Sequence, residues 1–78
     1  MRIYIDIPDD LTGLSQRLKY LLKAKGITQA EFSRESGFSL QSVSYWFNGK
    51  REPNLKALCK MADIFGVSTD WLLGRVNA

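Results

Sequence analysis

Leu11, Leu14, Leu18, Leu21 and Leu22 recur at steps of three and four residues, so they share one stripe of an amphipathic helix over residues 11–25. Gly26 closes that stretch, and Thr28-Gln29-Ala30-Glu31 follows as a capping box. In it the Thr hydroxyl accepts from the third helical amide while the Glu side chain reaches back to the Thr amide. A second helix over 28–36 ends at Gly37, the residue best suited to a left-handed turn. Ser39 caps a third helix reaching Phe47, with Val43, Trp46 and Phe47 inward, and Asn48-Gly49 stops it. Pro53-Asn54 opens a fourth helix with Leu55, Leu58, Met61, Ala62 and Phe65 on its inner face, ending at Gly66. Ser68 caps a short last helix that places Asp70 in its first turn and offers Trp71, Leu72 and Leu73 for burial.

The first ten residues break this period. Ile3, Ile5 and Ile7 alternate with Arg2, Tyr4 and Asp6 until Pro8, a strand pattern in an otherwise helical chain. A lone strand leaves backbone groups unpaired on both edges, and no second strand-like segment follows. Two readings stand side by side. Residues 2–7, with Ile3, Tyr4, Ile5 and Ile7 as dimerisation residues, pair with the same segment of a second subunit; or they form an extended or disordered arm. The expected fold is all-α, five helices over 11–75, with this arm at 1–10 and a short tail at 76–78.

A chain of 78 residues has material for one core only. It contains no His, which removes the commonest general base and metal ligand, and its single Cys cannot make an internal disulfide. Together with the absence of any apolar run near the ~20 residues of a membrane span, this leads us to expect a cytoplasmic protein with no metal, no cofactor, no evident small-molecule ligand and no catalytic set. Cys59, on the fourth helix between Leu58 and Lys60, is expected to be a small, partly buried side chain, and Trp46 and Trp71 to belong to the core.

The net charge of +3 is unevenly placed: −2 over residues 1–10, +5 over 11–51 and zero over 52–78. Within the basic stretch, no charged residue lies between Phe38 and Asn48. A plain surface helix would carry Glu and Lys there. Two helices joined by a tight turn at Gly37, the second presenting Ser39, Leu40, Gln41, Ser44 and Tyr45 outward, are the sequence form of a helix-turn-helix, whose second helix enters the major groove of DNA.

The run Gly26-Ile-Thr-Gln-Ala-Glu-Phe, then Gly37, then Ser42-Val-Ser-Tyr-Trp with Asn48-Gly-Lys-Arg-Glu-Pro, and finally Phe65-Gly-Val-Ser-Thr-Asp-Trp-Leu-Leu-Gly resembles the Cro/cI repressor (XRE) helix-turn-helix family over residues 12–74. The resemblance implies a compact five-helix domain that binds double-stranded operator DNA as a homodimer and represses or regulates transcription. It places Leu40, Gln41, Ser44 and Tyr45 at base-reading positions. It places Gln29, Ser39, Ser42, Asn48, Lys50 and Arg51 along the phosphate backbone, the loop gripping through an amide side chain, main-chain N–H groups and cationic tips.

Two departures from the family stand out. Leu40 replaces a common polar residue and would meet a thymine methyl. Leu22 and Phe47 occupy positions that in many members hold a buried Arg–Glu pair, so the two are expected to touch as an apolar replacement for it. The competing class is a protein-interaction module or antitoxin-type adaptor on the same fold; Gln29, Gln41, Asn48, Lys50 and Arg51 on one surface favour DNA.

Overall fold

A computed structural model describes residues 13–76, and the proposed strand and dimerisation residues Ile3, Tyr4, Ile5 and Ile7 lie outside them. Five helices follow in order: α1 (Leu14–Lys25), α2 (Gln29–Ser36), α3 (Leu40–Phe47), α4 (Leu55–Phe65) and α5 (Thr69–Leu72). The punctuation is that of the sequence. The Thr28 hydroxyl accepts from the Glu31 N–H at 3.1 Å and Glu31 Oε1 accepts from the Thr28 N–H at 3.1 Å, completing the box. Ser39, Asn54 and Ser68 cap α3, α4 and α5 by accepting from the amides of Ser42, Ala57 and Trp71.

α1 starts at Leu14 instead of residue 11. Gly13 is extended (φ −107°, ψ 158°), and its N–H donates to Gln16 Oε1 at 3.2 Å. Gly resists helical φ/ψ entropically, and a Gln three residues on supplies the return bond of a cap, so the chain enters the helix there.

Leu18, Phe32, Val43, Phe47, Met61 and Leu72 are fully buried and draw on all five helices to make one core, to which each large side chain contributes about 1.5–3 kcal/mol. Phe32 is at its centre: its ring stacks on Phe65 at 4.9 Å and tilts against Phe47 at 5.3 Å. Leu22 and Phe47 are both buried members of this cluster, and α1 packs on α3.

Four assignments by periodicity need correction. Leu55 is 80% exposed in the first turn of α4, where no neighbour covers it. Leu73 caps α5 instead of continuing it, and is half exposed. Cys59 is exposed, since α4 turns Ala57, Leu58, Met61 and Ala62 inward and leaves position 59 on the outer side. Trp46 is half-buried, its ring meeting Phe38 edge-on at 5.0 Å, whereas Trp71 is buried as expected.

The one buried charge among the described residues was not anticipated. Arg17, on the inner side of α1, is only 4% exposed; its Nη1 donates to the Trp71 carbonyl at 2.9 Å and its guanidinium lies 4.9 Å from the Trp71 ring centroid. This ties the short α5 to α1.

Candidate nucleic-acid interface

The α2–α3 turn sets where the exposed side of α3 points. Gly37 takes φ +83°, a left-handed value that a β-carbon penalises, and its N–H donates to the Ser33 carbonyl at 3.0 Å. Two serines then staple the turn. Ser33 Oγ donates to the Phe38 carbonyl at 2.6 Å, and the buried Ser36 Oγ accepts from the Phe38 N–H at 3.2 Å. Phe38 is clamped from three sides, with Phe32 at 6.4 Å, Trp46 edge-on, and the Lys60 ammonium 5.0 Å from its ring centroid. Ser33, Ser36 and Lys60 carry no motif signal in the sequence; their role comes from the path of the turn.

With Val43 and Phe47 fully buried, the opposite side of α3 is free. Leu40, at 52% exposure, and Gln41 are the exposed side chains of its first turn. Ser44 and Tyr45, expected outward, are half-buried, as is Ser42, and each has a side-chain hydrogen-bond partner. Ser39 Oγ accepts from the Ser42 N–H and donates to Ser42 Oγ at 2.9 Å, which leaves the Ser42 hydroxyl proton able to point outward. Asn48 Nδ2 donates to Ser44 Oγ at 3.2 Å, and Gln41 Nε2 donates to the Tyr45 hydroxyl at 3.2 Å.

The loop after α3 folds back on its last turn. Asn48 N–H donates to the Ser44 carbonyl at 3.0 Å, Lys50 N–H to the Tyr45 carbonyl at 2.9 Å, and Arg51 N–H to the same carbonyl at 3.4 Å. The expectation that main-chain N–H groups of this loop grip phosphate is therefore corrected for these three, whose amides already have internal acceptors. The exposed side chains of Asn48, Lys50 and Arg51 remain to make the contact. Gly49 permits the fold-back at φ +74°, and a Cβ there would lie 3.1 Å from Ser15 Oγ of α1.

Gln41, Ser42, Tyr45 and Arg51 come together on one open hollow, joined by Trp46, Glu52 and Asn54. The Arg51 guanidinium lies 5.1 Å from the Tyr45 ring centroid. Gln29, half-buried as the first residue of α2, and the exposed Ser39 and Lys50 are not among the residues that line the hollow. Sequence reasoning missed Asn54 and Glu52 as neighbours of the site because both read as a cap and a loop. Among the described residues no group of three or more His, Cys, Asp or Glu is placed to hold a metal ion, and no helix is long and apolar enough to cross a membrane.

Known proteins resemble this chain in sequence. A prophage-derived HTH-type transcriptional regulator of Bacillus subtilis, YonR, is 40% identical over 63 residues, covering 81% of this chain and 58% of the relative. The repressor RstR of the cryptic phage CTXphi in Vibrio cholerae is 37% identical over 62 residues (80% of this chain, 55% of the relative). The repressor protein CI of phage phi80 is 33% identical over 64 residues (81% and 26%). The match thus spans less than two thirds of each relative's own length. No solved structure matches significantly. Residues 18–72, from the middle of α1 to the end of α5, match the helix-turn-helix family model, and the chain belongs to that family as a domain of the Cro/cI-repressor type.

Proposed function

We propose that the chain is a transcriptional repressor that binds a pseudo-palindromic operator as a homodimer, with α3 lying in the major groove. The observation that carries this reading is the outer side of α3: uncharged, with Leu40 and Gln41 exposed, and bordered by the exposed cations Lys50 and Arg51. An uncharged helix with cations at its edge suits base edges flanked by phosphates, whereas a solvated helix gains nothing from that division. Relatives named as repressors and transcriptional regulators support the same reading.

In this reading Leu40, Gln41 and Ser44 face the base edges, and Tyr45 stands beside Gln41 on the same side of α3. Leu40 contacts a thymine methyl, and Gln41 offers the paired donor and acceptor that adenine matches. Gln29, Ser39, Ser42, Asn48, Lys50 and Arg51 follow the phosphates: Ser42 with its outward hydroxyl proton, Asn48 with its amide, and Lys50 and Arg51 with their charge. Two protomers set their α3 helices ~34 Å apart, one duplex turn.

The test is selection of bound sites from random duplexes, followed by a salt titration of the selected site and a transcription assay on a promoter carrying it. The expected results are a two-fold symmetric consensus, two protomers per duplex, an affinity that falls steeply with salt, and reduced transcription. Binding without sequence preference would refute the operator reading, one protomer per site would refute the dimer, and raised transcription would refute repression.

A further inference from the structure

We propose that Tyr45 is a positioning residue for sequence reading, acting through Gln41 instead of on a base, and fixing the Gln41 amide in one orientation while bracing Arg51. This rests on the DNA-binding reading above. Gln41 and Tyr45 are four residues apart on α3, so their side chains meet on one side of the helix. Tyr45 is held at three points. Its hydroxyl accepts from Gln41 Nε2 at 3.2 Å, its ring lies 5.1 Å from the Arg51 guanidinium, and its carbonyl accepts from the Lys50 and Arg51 amides.

An exposed glutamine samples many rotamers and both orientations of its amide, and ordering such a side chain on binding costs conformational entropy. Here one N–H of Gln41 is bonded within the protein, which leaves the carbonyl oxygen and the second N–H available. That pair matches adenine, which presents the N6 amine as donor and N7 as acceptor. Guanine presents two acceptors, O6 and N7, and would set one of them against the Gln41 oxygen. The held amide therefore discriminates between purines before any DNA arrives. Because the same ring supports Arg51, seating that cation on a phosphate also steadies the reading side chain.

Tyr45→Phe in the full chain removes only the hydroxyl and keeps the ring under Arg51. In the free protein, the Gln41 side-chain amide signals in a nitrogen–proton correlation spectrum should shift. On the selected duplex and its single-base variants, preference at the base position that Gln41→Ala relaxes should fall about two- to tenfold, the scale of one hydrogen bond. Other positions and the salt slope should be unchanged, and Gln41→Ala with Tyr45→Phe should lose no more at that position than Gln41→Ala alone. A wild-type base profile in Tyr45→Phe, or an equal loss on every duplex, would overturn the proposal while leaving operator binding intact. Absence of any sequence preference in the wild type would overturn the DNA reading and this proposal together.

Discussion

Replacing Arg17 by alanine removes the only buried charged side chain among the described residues, and with it the tie between α1 and α5. The hydrogen bond from its Nη1 to the Trp71 carbonyl at 2.9 Å is charge-assisted, a class that contributes about 1.5–3 kcal/mol. The guanidinium 4.9 Å from the Trp71 ring centroid adds about 1–2 kcal/mol in a dry site. Alanine also abolishes the desolvation cost of the buried cation, which offsets part of the loss. The net expectation is a destabilisation of about 2–3 kcal/mol, a large share of the roughly 4–12 kcal/mol available to a chain of this size. Urea unfolding followed by circular dichroism measures it. Arg17→Met separates packing from charge: it keeps the stem, and the Trp71 carbonyl still accepts from the Gly74 N–H at 3.1 Å, so about 1 kcal/mol should be lost. Arg17→Met as stable as the wild type would refute the reasoning, because the desolvation cost would then cancel everything the guanidinium contributes.

Three further outcomes are expected. Gly49→Ala, which forces a β-carbon into φ +74° and to 3.1 Å from Ser15 Oγ, should cost about 1–2 kcal/mol in thermal unfolding, and an unchanged melting temperature would contradict the strain. Gln41→Ala should relax one base position and cost about 1–3 kcal/mol, while Lys50→Ala should weaken all duplexes alike and lower the salt slope by about one; identical profiles from the two variants would remove Gln41 from base reading. Replacing the relevant thymine by uracil should weaken wild-type binding but not that of Leu40→Ala, and equal sensitivity in both proteins would deny Leu40 its methyl contact.

The helices were legible because their ends are local chemistry: Thr28, Ser39, Asn54 and Ser68 cap by their own side chains, and Gly26, Gly37 and Gly66 take left-handed values that few other residues accept. The exposure of Leu40 and Gln41 was legible for a similar reason, since Val43 and Phe47 fix the inward side of α3. What stayed hidden depends on distant partners. Arg17 reads as a solvated cation until Trp71, 54 residues away, supplies a carbonyl and a ring. Periodicity assigns Leu55 to an inner stripe, yet says nothing about how far the neighbouring helices extend to cover it. Amides of the loop read as free donors until the fold-back onto Tyr45 engages those of Lys50 and Arg51.

The serine-stapled turn between α2 and α3 has a kinetic consequence. With Ser33 and Ser36 bonded to the Phe38 backbone and three groups around its ring, the helix pair has little slack to take up on meeting a duplex. Encounter with correct and incorrect sites should therefore proceed at similar rates, set by diffusion and electrostatic attraction, and discrimination should reside in how long each complex survives. A search for a target on those terms is a succession of brief, nearly identical visits, ended by one long residence.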